Sequence, residues 1–66
     1  MQTGVIDKNG NMIMVGNIVH YRGDGLSAHG KVVKNEDYGF AIEDDRERTK
    51  GRLYSMKNAG VYRIEN

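Results

Sequence analysis

The chain has 66 residues and a mass of 7.4 kDa, with no cysteine, proline or tryptophan and a formal net charge of +1. That leaves room for one small domain with a marginal core, and it excludes a disulfide framework. With 10 basic and 9 acidic residues the charges nearly cancel, which excludes a polybasic tail and, with 9 glycines punctuating clear apolar runs, favours a folded domain over a disordered chain. Val and Ile number 11 against 2 Leu and 3 Ala. Branching at Cβ restricts side chains in a helix and packs well on a pleated surface, so an all-β protein is expected.

The first element is a hairpin in Val5-Ile6-Asp7-Lys8-Asn9-Gly10-Asn11-Met12-Ile13-Met14, where Gly10 supplies the positive φ that tight turns require. Two registers fit: a two-residue turn opposes Ile6 to Ile13, and a three-residue loop with a bulge at Gly10 opposes Ile6 to Met12. After Gly16, Asn17-Ile18-Val19-His20-Tyr21-Arg22 reads as a strand ended by Gly23-Asp24-Gly25. Gly23 to His29 reads as a flexible loop of about seven residues with Leu26 as its only large apolar side chain.

Gly30-Lys31-Val32-Val33-Lys34 and Tyr38-Gly39-Phe40-Ala41-Ile42 are predicted strands around the polar turn Asn35-Glu36-Asp37. Tyr38, Phe40 and Ile42 alternate onto one face, and Phe40 and Ile42 are the foremost core candidates. Glu43 to Gly51 is polar in eight of nine positions and reads as a long exposed turn before the strand Arg52-Leu53-Tyr54-Ser55-Met56. Lys57-Asn58-Ala59-Gly60 suits a single helical turn. Val61-Tyr62-Arg63-Ile64 closes the chain as a strand, with Tyr62 and Ile64 inward and Arg63 and Glu65 outward. Residues 1–66 therefore read as one all-β domain: a small SH3-like barrel of five to six strands, carrying an N-terminal β-hairpin and one short helical turn before the last strand.

Thr3-Gly4-Val5-Ile6-Asp7-Lys8-Asn9-Gly10-Asn11-Met12-Ile13, followed by Gly16-Asn17-Ile18-Val19-His20-Tyr21, resembles the opening of the YopX-like phage and prophage proteins, whose pattern is T-G-x-x-D-K-N-G-x-x-I-x-E-G-D-I-V-x-Y. The match covers about a third of the chain; Val15 stands where the family usually has Glu, and Asn17 where it usually has Asp. The resemblance implies a phage or prophage origin and a β-rich, barrel-like fold, and it implies no activity.

Candidate chemistry is sparse. Asp7, Asn9 and Asn11 have the opening spacing of a calcium loop, but Met12 and Ile18 stand where that loop needs Gly and Glu, so a plain Asn-Gly hairpin is expected with Asp7 and Asn11 satisfying the turn backbone. His20, Asp24 and His29 lack the stiff frame a zinc site needs. Ser27 and Ser55 have no nucleophile elbow around them, and the acids Glu36, Asp37, Glu43, Asp44 and Asp45 read as solvated turn residues. No catalysis, metal or cofactor is expected. Arg22-Gly23-Asp24 spells an adhesion tripeptide but suits a turn without any receptor.

What remains is a contact surface. Arg46, Arg48, Lys50 and Arg52 fall within seven residues, with Lys31, Lys34 and Lys57 on neighbouring elements, interleaved with Asp44, Asp45 and Glu47. Tyr54 offers a ring for stacking, and at least two of the four tyrosines are expected in the core. The expected function is a non-enzymatic binding module for an unidentified protein partner. Its alternative is a barrel that binds nucleic acid through Arg46, Arg48, Lys50 and Arg52, and self-association through the Met12-Ile13-Met14 hairpin is a third reading. The longest apolar stretch, Met12-Ile13-Met14-Val15, is far too short for a membrane span, and the opening residues lack a secretory pattern, so the cytoplasm of a bacterial host is the expected location.

Overall fold

A computed structural model of the protein describes residues 1–23, 25–56 and 60–66. They form seven strands: β1 (Gln2–Ile6), β2 (Met12–Met14), β3 (Ile18–Gly23), β4 (Leu26–Asn35), β5 (Gly39–Asp44), β6 (Leu53–Ser55) and β7 (Val61–Ile64). The all-β expectation holds, and no helix occurs among the described residues. The helical turn expected at residues 57–60 falls on positions of which 57–59 lie outside the described residues. Among the described residues no helix is long and apolar enough to cross a membrane.

β1 and β2 form a separate hairpin, while the other strands make one antiparallel sheet in the order β6-β5-β4-β3-β7. The larger sheet is open, with β6 and β7 at its edges. Its middle strand, β4, is ten residues long and serves two partners in succession. Residues 26–31 pair with β3 and residues 30–35 with β5, so only Gly30 and Lys31 are paired on both sides. The neighbouring backbone comes so close at that point that only glycine fits: a Cβ on residue 30 would lie 1.9 Å from the Glu43 carbonyl oxygen.

The predicted loop from Gly23 to His29 is instead the start of β4. Gly23 already pairs with Leu26, and Gly25 adopts a φ of 74°. A glycine at positive φ is a strong hairpin signal, and here it outweighs the polar, small-residue run that follows it. Asp24 itself lies outside the described residues.

The N-terminal hairpin takes the Ile6↔Met12 register. Asp7 sets it: Oδ1 accepts the N–H of Asn9 (3.0 Å) and of Asn11 (2.8 Å), while the Asp7 N–H donates to the Asn11 carbonyl (2.8 Å). The same carboxylate, in a residue only 5% exposed, accepts the Ile64 N–H through Oδ2 (3.2 Å), and the Lys8 N–H donates to the Tyr62 carbonyl (2.8 Å). The hairpin turn thus covers the outer edge of β7 and occupies backbone groups that would otherwise invite another strand.

Strand alternation divides the five-stranded sheet into two faces. Val19 and Tyr21 of β3, Ala28 and Val32 of β4, Ile42 of β5 and Tyr62 of β7 are buried on one face together with Ile13 of the hairpin and Met56. Tyr21 and Tyr62 stack with ring centroids 5.0 Å apart, so two of the four tyrosines are core. Ile42 is fully buried as expected, whereas Phe40 only packs against the cluster and stays half-buried, because it sits at the start of its strand beside an open groove. Ile64 also packs on the cluster, and Arg63 faces out.

Candidate functional site

The groove beside Phe40 is assembled from three distant segments. Thr3 and Val5 of β1 form one wall, Tyr38, Gly39 and Phe40 the other, and Met56 closes it; its volume is about 250 Å³. Each wall is fixed by backbone chemistry. The Thr3 hydroxyl donates to the Ile13 carbonyl (2.8 Å) and accepts the Val5 N–H (3.1 Å), holding a bulge in which Gly4 has a φ of 79°. Asn35 Oδ1 accepts the N–H of Asp37 (2.8 Å) and Tyr38 (3.0 Å), and Gly39 at φ 79° completes that turn. The Tyr62 hydroxyl, at an acidity weakened by burial, donates to the Met56 carbonyl (3.1 Å). With its polar atoms spent internally, Thr3 lines an apolar slot. Tyr38 stands 39% exposed at its rim. Such a slot is preformed, so a side chain entering it pays little ordering cost on the protein's side. Its lining is mainly apolar, so what the slot offers an entering side chain is burial.

A second depression of about 280 Å³ lies at the tip of the β3–β4 hairpin, lined by Arg22, Gly23, Gly25, Leu26 and Ser27. Unlike the first it is built from a single hairpin.

The cations singled out by sequence do not form one surface. Lys31 and Lys34 are exposed on β4 but, three residues apart on one strand, they point to opposite faces. Lys31 pairs in register with Glu43, and Lys34 with Phe40. Arg48 and Lys50 are exposed in the loop after β5, and the Arg52 guanidinium lies 5.4 Å from the centroid of the half-buried Tyr54 ring. Lys57 lies outside the described residues.

Arg46 is occupied. It donates through Nη2 to Asp44 Oδ2 (2.7 Å) and to the Ser27 carbonyl (2.8 Å), and through Nε to both Asp44 oxygens (3.2 Å each). Asp44 also accepts the Arg46 N–H (2.8 Å). This corrects the reading of Asp44 as a solvated turn residue: it is 2% exposed, and it folds the loop back onto the sheet together with the Gly51 N–H, which donates to the Asp44 carbonyl (2.8 Å). The Arg46 guanidinium, and after it the backbone N–H of Arg46, hold the Asp44 carboxyl well below the usual carboxylate range. Replacing Asp44 by Asn is expected to cost about 2–3 kcal/mol in urea unfolding at pH 7, because a buried acceptor of charge-assisted bonds loses its charge. A carboxylate whose folded pKa is depressed adds stability above its unfolded pKa, about 3.9, and loses it as pH falls through the folded value. The Asp44→Asn deficit should therefore shrink as unfolding is measured at successively lower pH below about 4.

Asp7, read as a turn-satisfying residue, does satisfy the turn, and the Asn11 N–H leads the contacts that lower its pKa. His20 and His29 are direct neighbours across β3 and β4. Among the described residues no group of three His, Asp or Glu side chains is arranged to hold a metal ion. His29 instead sits between two carboxylates, Asp45 and Glu65, a grouping that sequence reasoning missed because its members are 16 and 36 positions from His29. The groove was missed for the same reason. Its only sequence signal is Tyr38-Gly39-Phe40, an aromatic pair around a glycine. Compared with known proteins, the chain matches no family model, no curated protein and no solved structure.

Proposed function

We propose that the protein is a small non-enzymatic accessory protein of phage or prophage type that acts as a protein-binding module, a partner's apolar side chain entering the groove between β1 and the start of β5. The phage assignment rests on the resemblance of residues 3–21 to YopX-like proteins. An SH3-like barrel topology is supported by the strand order, in which β7 returns to pair with β3 at the head of the β3-β4-β5-β6 meander. The binding role is carried by the groove itself: preformed, apolar, and rimmed by an exposed tyrosine. The nucleic-acid alternative is weakened by the engagement of Arg46 with Asp44 and by the dispersal of Lys31 and Lys34 to opposite faces.

The test is capture from host extract at about 0.15 M salt, where screening over roughly 8 Å removes most exposed charge effects. Immobilised wild-type protein is compared with Tyr38→Ala and Val5→Asp, together with an Arg48→Glu/Lys50→Glu/Arg52→Glu variant. Tyr38→Ala changes a partly exposed side chain and should unfold within about 1 kcal/mol of wild type. A discrete protein retained by wild type and by the charge-reversed variant, and lost by both groove variants, is the expected result. Submicromolar binding of single- or double-stranded oligonucleotides at the same salt, abolished by charge reversal, would transfer the function to the cationic loop.

A further inference from the structure

On the sheet face opposite the core, three strands bring their charges to one ring. His29 lies on the central strand β4, and its Nδ1 is 2.7 Å from Asp45 Oδ1, just past β5. Its Nε2 contacts Glu65 Oε2, just past β7. Both ring nitrogens therefore face carboxylate oxygens, a geometry only the doubly protonated ring satisfies, since neutral imidazole has one N–H and one lone pair. Around it, His20 of β3 pairs in register with both His29 and Arg63, and Arg63 Nη2 holds Glu65 Oε1 at 2.7 Å. The next rung holds the Lys31 and Glu43 pair between β4 and β5. Glu65 and Asn66, which follow β7, are both tied to β3: the Glu65 N–H donates to the Ile18 carbonyl (2.8 Å), and Asn66 Oδ1 accepts the Ile18 N–H (2.8 Å).

We propose that His29 is a proton-operated latch that fastens the end of β7 to the middle of the sheet, and that loss of its proton releases Glu65 and Asn66 from β3 while the core stays folded. Neutral His29 keeps one donor and turns a lone pair toward the other carboxylate. Asp45 is the partner it keeps, because the Asp45 N–H also donates to the His29 carbonyl (3.0 Å), locking those two residues together through the backbone. The Glu65 contact is the one given up, because its carboxylate still has Arg63 as a partner, and with it goes the tie that His29 supplies from the β7 end to the central strand. The released segment is adjacent to the rung where the hairpin turn docks on β7, so proton loss loosens one end of the β7 edge without touching Tyr21, Val32 or Ile42 on the other face.

The electrostatics agree with the geometry. The hydrogen bond to Asp45, joined by the charges of Asp45 and Glu65, raises the His29 pKa above its ordinary value, and Arg63, with His29 behind it, lowers that of Glu65. A group whose folded pKa is raised contributes fully below its unfolded pKa, about 6.5, and its contribution disappears as pH climbs through the folded value. The open fraction of the β7 end should then rise about tenfold per pH unit from about 6.5 until the folded pKa of His29 is passed, and level off above it.

The experiment is a carbon-detected NMR titration of the intact chain from pH 5.5 to 9.5, following the His29 ring, the Glu65 and Asn66 side chains, and the methyls of Val19, Val32 and Ile42. Glu65 and Asn66 are expected to shift with the same inflection as the His29 ring, above pH 6.5, while the core methyls hold still. Glu65→Gln should lower the His29 inflection, and His29→Gln should leave Asn66 without pH dependence over this range. A His29 ring that titrates at or below 6.5, Glu65 and Asn66 signals indifferent to it, or core methyls moving with the same inflection would each overturn the latch.

Discussion

Gly30→Ala is expected to abolish the cooperative unfolding transition. The added methyl would lie 1.9 Å from the Glu43 oxygen, 2.7 Å from its carbonyl carbon and 3.0 Å from Asp44 Cα, all backbone atoms of the adjacent strand. No rotamer change relieves a backbone clash, so β4 and β5 must part where Gly30 pairs with Asp44. That opening also draws Arg46, which stays paired with Asp44 two residues away, from the Ser27 carbonyl on β4. The combined cost exceeds about 4 kcal/mol, a magnitude reserved for strand separation, core cavities and buried charges. A domain of this size holds roughly 3–10 kcal/mol in total. Gly10→Ala is the control: Gly10 has a φ of 86° and open space around its Cα, so only backbone strain is felt, about 1 kcal/mol. Circular dichroism during urea titration separates the two outcomes, and a Gly30→Ala protein as stable as Gly10→Ala would mean that β5 does not approach β4 so closely there.

Tyr21→Ala should be nearly as severe. The side chain is 1% exposed, stacks on Tyr62 and lies under Gly60, where an added Cβ would stand 2.1 Å from the Tyr21 ring. Truncation leaves a void bordered by β7 and the segment leading into it, and that void can collapse only by moving the edge strand. Large aromatic-to-alanine changes in a core cost about 3–5 kcal/mol. In differential scanning calorimetry at neutral pH, the variant is expected to show no transition above about 30 °C, since a 1 kcal/mol loss lowers Tm by roughly 4–8 °C in domains this small. A Tm within 10 °C of wild type would place Tyr21 outside the core.

Which features were readable in the sequence follows from the range of the interactions that determine them. The Ile18–Gly23 strand, the alternation in Val61-Tyr62-Arg63-Ile64 and the turn at Asn35 are local, and each matched the fold within about a residue. The hairpin register remained open because turn chemistry alone allows both pairings. A carboxylate that also reaches Ile64, 57 positions away, accompanies the one observed. Leu26-Ser27-Ala28-His29 looked like a loop because none of its residues is β-branched. It is a strand because Val19, Tyr21 and their neighbours supply a pairing edge. Asp44 looked solvated among Glu43, Asp45 and Arg46, and its burial depends on the loop returning through Gly51. The groove pairs residues 3 and 5 with residues 38–40 and 56, a proximity no local pattern encodes.

The bond between Asp7 and Ile64 also bears on the order of events when the chain is made. The β1–β2 hairpin links residues 2–14 and is short enough to form as soon as it emerges from the ribosome. Its docking partner Ile64 on β7, however, follows Asp7 by 57 positions, and translation at about 5–20 residues per second leaves the hairpin waiting for seconds. During that interval the apolar side of Ile13 has no Tyr62 to join, and β3 has an unpaired edge. The hairpin is thus completed by a strand synthesised well after it, so the nascent domain remains open to capture by chaperones or by a second chain until translation has passed β7.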